Sequence, residues 1–137
     1  SVGGVFACGN VLHVHDLVDY VSEEAERAGM FAARYVNNKI QETKNPIKIY
    51  PCGGIRYTVP QQLYPDSPDD RLTIRFRVDN NYYDRDVCIY LGNRLIKRVF
   101  KKIMAPGEME QIVIKKEEII PQSASDQLKI CTERRAH

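Results

Sequence analysis

Two hydrophobic periods divide the chain. Over residues 16–38 the apolar side chains Leu17, Val21, Ala25, Ala28, Ala32 and Tyr35 recur at steps of three and four, while Glu23, Glu24, Glu26, Arg27 and Arg34 take other positions. Steps of that size fall on one face of an α-helix, so the spacing predicts an amphipathic helix of about six turns. Acidic residues in its first half and Arg34 and Lys39 at its end suit the helix dipole, and Asn37-Asn38 supplies a C-terminal stop. Asp16 is the expected N-cap, with Asp19 three positions on in the manner of a capping box. Upstream, Gly4-Val5-Phe6-Ala7-Cys8-Gly9-Asn10 reads as a buried strand ending in a glycine turn. A strand, tight turn and helix N-terminus form a junction at which backbone N–H groups can meet a ligand. No βαβ unit precedes it, so the junction is expected to be the tail of something larger.

Residues 41–46, Gln-Glu-Thr-Lys-Asn-Pro, are polar and aperiodic and mark the expected linker. Beyond them the period becomes two: Ile47/Ile49, Ile55/Tyr57/Val59, Leu72/Ile74/Phe76/Val78, Val87/Ile89/Leu91, Ile112/Ile114 and Leu128/Ile130. Clusters such as Pro65 to Asp70, Asp79-Asn80-Asn81, Gly92-Asn93 and Ala105 to Glu108 separate these runs as turns. Gly92-Asn93 makes the clearest hairpin. The pattern predicts a mainly β fold, an immunoglobulin-like antiparallel β-sandwich preceded by one strand-turn-helix element, with a barrel as the rival.

Composition changes this picture little. Twenty basic and 18 acidic residues leave a formal charge of +2, too balanced to argue for nucleic acid or an acidic membrane surface as a partner. No apolar run approaches the roughly 20 residues that span a bilayer, and the N-terminus lacks the layout of a signal peptide, so a soluble cytoplasmic protein is the default expectation. Cys8, Cys52, Cys88 and Cys131 are widely spaced without a C-x-x-C pair, and reduced thiols are expected.

Candidate chemistry is sparse. His13 and His15 straddle one residue and invite a metal, since alternate side chains of an extended segment project together. The reading adopted is instead a loop leading into the helix with two packed or solvated imidazoles, and no metal is assigned. Cys8 reads as a small buried hydrophobe and Cys52 as a turn residue. Arg94, Lys97, Arg98, Lys101 and Lys102 interleave with apolar side chains as an edge strand protected by charge would. No catalytic triad, phosphate loop or carboxylate pair can be assembled, so no catalytic residue is named.

The segment Gly4-Val5-Phe6-Ala7-Cys8-Gly9-Asn10-Val11 resembles the second flavin-binding motif, G-x-F-A-x-G-D, of the two-dinucleotide-domain, disulfide-reductase-like flavoprotein reductases. Asn10 stands where that family has Asp, and its amide can still bond a hydroxyl. His13 to Asp19 and Gly54 to Gln61 resemble a bacterial branch of FAD/NAD(P)-dependent oxidoreductases that carries an extra C-terminal domain. The resemblance implies that residues 1–40 are the last strand and helix of an incomplete FAD-binding domain and residues 41–137 a C-terminal β-sandwich. It implies FAD in the intact parent protein and none in this fragment, with Gly9, Asn10, His15, Asp16 and Leu17 as the cofactor-binding residues. Implied partners are the rest of the flavoprotein chain and a second subunit or another copy, with neither nucleic acid nor membrane. The alternative is a stand-alone β-sandwich interaction module with a helical dimerisation arm and no redox role.

Overall fold

In a computed structural model the chain divides into two compact units, Ser1–Glu42 and Thr43–His137. The structure describes residues 4–37, 46–64, 69–119 and 127–135. Most of the expected linker, residues 41–45, lies outside them, as do Asn38, Lys39 and the 65–68 part of the expected turn.

The first unit is a short irregular lead, a 3-10 turn at Gly9–Val11 and helix α1, Val18–Val36. The strand expected over residues 4–10 does not form: among the described residues nothing pairs with this segment, and extended backbone becomes a strand only when a neighbour takes up its hydrogen bonds. Phe6 instead packs edge-on against Tyr35, near the far end of the helix, with ring centroids 6.0 Å apart. α1 begins one residue later than an Asp16 N-cap would place it. Leu17 (φ −130°, ψ 140°), not Asp16, occupies the N-cap position, and its apolar side chain makes no capping hydrogen bond. Asp19 in the first turn and Arg34 in the last do follow the dipole. Asn37 closes the helix, its backbone and side-chain amides both donating to the Ala33 carbonyl at 3.1 and 2.8 Å. α1 has no buried residue, so the expected apolar stripe stays partly or wholly exposed.

The second unit is mainly β and holds two sheets. Strands β1 (Ile47–Cys52), β2 (Ile55–Val59), β3 (Gln62–Leu63), β4 (Arg71–Val78), β5 (Tyr82–Leu91), β6 (Arg94–Met104), β7 (Glu110–Lys115) and β8 (Leu128–Arg134) follow in chain order. One sheet has the order β3-β1-β8-β5-β6 and the other β2-β4-β7. Pairing is antiparallel except between β1 and β8, which run parallel, an arrangement open to them because a long chain segment rather than a hairpin joins them. The inward faces meet in a core of Ile47 and Ile49, Ile74, Phe76 and Val78, Val87, Ile89 and Leu91, Ile112 and Ile114, and Leu128 and Ile130. Fully burying each such side chain is worth about 1.5–3 kcal/mol, which fixes the faces that β1, β4, β5, β7 and β8 turn inward.

Gly53 and Gly54 turn the chain from β1 in one sheet to β2 in the other, both with positive φ (+56° and +92°). A Cβ on Gly53 would lie 2.6 Å from the Thr132 carbonyl oxygen, and one on Gly54 would run into the Tyr82 hydroxyl. The basic strand β6 is a sheet edge, as its charge pattern predicts. Its Lys101 reaches Glu110 of β7 at 2.6 Å and its Lys97 donates to the Val113 carbonyl at 2.5 Å, tying the edges of the two sheets together. The expectation of four reduced thiols is corrected by a disulfide, Cys52–Cys131. The parallel register sets these residues opposite one another with Cα atoms 4.6 Å apart, a proximity created by pairing across 79 residues. Cys8 and Cys88 are free.

Candidate functional site

The first unit gathers its chemistry around one carboxylate. Gly9 adopts φ +70°, a conformation open to glycine at little cost, and its carbonyl accepts from Leu12 N–H at 2.9 Å to close the 3-10 turn. The turn carries the following residues back along α1, where Glu24 sits in the second turn. Gly9 N–H donates to Glu24 Oε2 at 2.8 Å. His15 Nε2 lies 2.8 Å from the same oxygen, and His13 Nε2 lies 3.4 Å from Oε1. The two imidazoles are neighbours, their centroids 4.2 Å apart and their planes inclined by 57°. The relative exposure of the side chains is 2% for His13, 1% for His15 and 12% for Glu24. Burial pushes the Glu24 carboxyl up, but bonding to His15 and the Gly9 N–H, with the charge of the imidazoles, outweighs it and holds the group below the usual carboxylate range. Glu24 is therefore an anion at neutral pH.

Of the residues assigned to cofactor binding, Gly9 is buried and His15 has a buried ring, and Glu24 joins the two. Asn10 and Asp16 are exposed, and Leu17 is 55% exposed. Around them Val5, Val11, Val14 and Val18 are exposed by 63–84%, an unusual amount of bare aliphatic surface for so short a stretch. Sequence reasoning missed Glu24, which falls among the polar helix positions. The available signal was an acidic residue on a helix that follows a His-x-His pair closely enough to fold back on it. Both imidazoles are packed, and their nitrogens, with a Glu24 oxygen, lie within 4.8 Å of one another, a set able to hold a cation.

A second polar cluster lies on the outer face of the five-stranded sheet. Tyr90 donates to Glu133 Oε1 at 2.6 Å and the Cys88 thiol contacts Oε2 at 3.4 Å, with Arg98 3.5 Å from both Asp86 and Glu133. Burial, with the Glu133 carboxylate beside it, pushes the Cys88 thiol up to about 11, so this cysteine is not a nucleophile at neutral pH. A shallow depression lined by Tyr83, Asp84, Arg85, Phe100, Arg134 and Arg135 flanks this face, with Arg135 over the Phe100 ring at 4.7 Å. No helix among the described residues is long and apolar enough to cross a membrane. Comparison of the chain with protein-family models, curated proteins and solved structures gives no significant match.

Proposed function

We propose that the first unit completes the flavin site of an FAD- and NAD(P)-linked oxidoreductase acting in the cytoplasm, and that the β-sandwich serves assembly or covers the active-site side. The observation that carries this reading is the bare aliphatic surface around the Gly9 turn: Val5, Val11, Val14 and Val18 need a covering layer, and the remainder of an FAD-binding domain is the layer the motif resemblance implies. Gly9 would bring backbone close to the cofactor. The first turn of α1, whose N-cap residue Leu17 has no capping side chain, would offer N–H groups to the negative charge that develops on a reduced flavin, while Asn10, Asp16 and Leu17 line the approach and the buried His15 ring supports it from beneath. Glu24 would act as a positioning residue, fixing Gly9 and His15 relative to each other. The isolated chain is expected to hold no FAD and to transfer no hydride.

The test is the coding sequence upstream of Ser1, followed by flavin occupancy in the intact enzyme. The reading expects two in-frame strand-turn-helix units of the G-x-G-x-x-G type, and a fall in bound flavin on Asn10→Ala or His15→Ala. A start codon immediately before Ser1 would overturn it in favour of the stand-alone interaction module. An intact enzyme that keeps its full flavin content in both variants would overturn the site assignment.

A further inference from the structure

We propose that His13, His15 and Glu24 bind one divalent transition-metal ion of the zinc class. Three features of the cluster converge on this. The donor set is two imidazole nitrogens and one carboxylate oxygen, the composition of open zinc sites in which three protein ligands leave a fourth position for water. The ligand atoms lie within 4.8 Å of one another, and two of the contacts are already at 2.8 and 3.4 Å. Metal–ligand bonds of about 2.0–2.1 Å in a tetrahedron put neighbouring donor atoms about 3.4 Å apart, so small side-chain rotations convert one spacing into the other. Finally, all three side chains are at least nearly buried, as ligands of a dehydrated cation are, and Glu24 supplies the negative charge that offsets dehydration.

The His15 ring carries the decisive detail. Its side chain is 1% exposed, yet Nδ1 is buried with no hydrogen-bond partner. A buried nitrogen without a partner forfeits its hydration with nothing in return, so the network centred on Glu24 does not account for this ring fully. No outside acceptor or donor fixes which nitrogen bears the proton. The ring can therefore move its proton from Nε2 to Nδ1 and present the Nε2 lone pair to a cation, while Glu24 exchanges two imidazole contacts for one metal bond and keeps its bond from Gly9. The missing outer-shell partner also sets a limit, since such partners are worth about 10–100-fold in affinity. The site should bind reversibly and leave one coordination position to water. This inference does not rest on the flavin reading, although His15 is common to both.

The full chain, stripped with a chelator, is titrated with Zn2+ by calorimetry and with Co2+ by its d–d absorption. The proposal expects one equivalent of either metal, a tetrahedral Co2+ spectrum, and ring resonances of His13 and His15 that shift on binding while that of His137 stays. Loss of a ligand in His13→Ala or His15→Ala should weaken Zn2+ by more than about 100-fold, beyond the effect of an outer-shell change, with Glu24→Gln intermediate and Cys8→Ser unchanged. Helical circular dichroism of each variant separates loss of binding from loss of fold, and the wild-type resonances decide the question without any variant. Absence of stoichiometric binding would overturn the site. So would binding that survives His15→Ala in a folded chain, or binding that disappears in Cys8→Ser.

Discussion

Glu24 organises three groups that sequence separates by 9 to 15 positions: His15, His13 and the Gly9 N–H. Its lowered pKa fixes a sign. A carboxyl that ionises more readily when folded contributes stability above the ordinary carboxylate range, and that contribution is lost as pH falls through its own lower value. Acid titration of helical circular dichroism should therefore show a loss below the usual carboxylate range, and Glu24→Gln should flatten that acid limb. At neutral pH the same substitution should cost the first unit about 1.5–3 kcal/mol, the worth of hydrogen bonds to a charged group, measured by denaturant melting. Cys88 behaves oppositely. With its thiol pushed to about 11 it should resist iodoacetamide at pH 8 in the folded chain and react on unfolding, whereas rapid native labelling would contradict the buried pairing with Glu133.

Among the elements, the corner between β1 and β2 is the most demanding. Gly54→Ala meets both φ +92° and the Tyr82 hydroxyl, and should destabilise the sandwich by more than about 1 kcal/mol. Phe76, wholly buried on β4, should cost about 3–5 kcal/mol on truncation to Ala, with the midpoint of urea unfolding as the measure of both. Helix α1 contrasts with the strands. Its apolar stripe was legible from spacing, yet Ala25 is exposed and Val21 only half-buried. Periodicity states which side of a helix is apolar; it does not supply the surface that covers it. The strands required no such partner, because Ile74, Ile89, Ile114 and Ile130 face one another across the two sheets.

At the scale of the whole molecule, the disulfide closes a long loop between the first and last strands of the sandwich. Reducing it should lower stability by about 2–4 kcal/mol, and thiol titration of the unfolded, unreduced chain should count Cys8 and Cys88 but neither Cys52 nor Cys131. Four titratable thiols would show the pair to be reduced in the protein as isolated and would contradict the Cys52–Cys131 bond. Sequence by itself determined the mainly β class, the hairpin at Gly92-Asn93, the core positions of β4, β5, β7 and β8, and the edge character of β6. Each of these follows from side chains a few residues apart: alternation chooses the buried face, a glycine permits the turn, and repeated lysines discourage a further strand from pairing. Only tertiary structure decided the parallel contact of β1 with β8, the Cys52–Cys131 bond and the meeting of Glu24 with His13, His15 and Gly9. The absence of a strand at residues 4–10 belongs with them, since pairing depends on a partner elsewhere. Local spacing carries no record of which distant segments come together, because that choice rests on how all the buried faces pack at once.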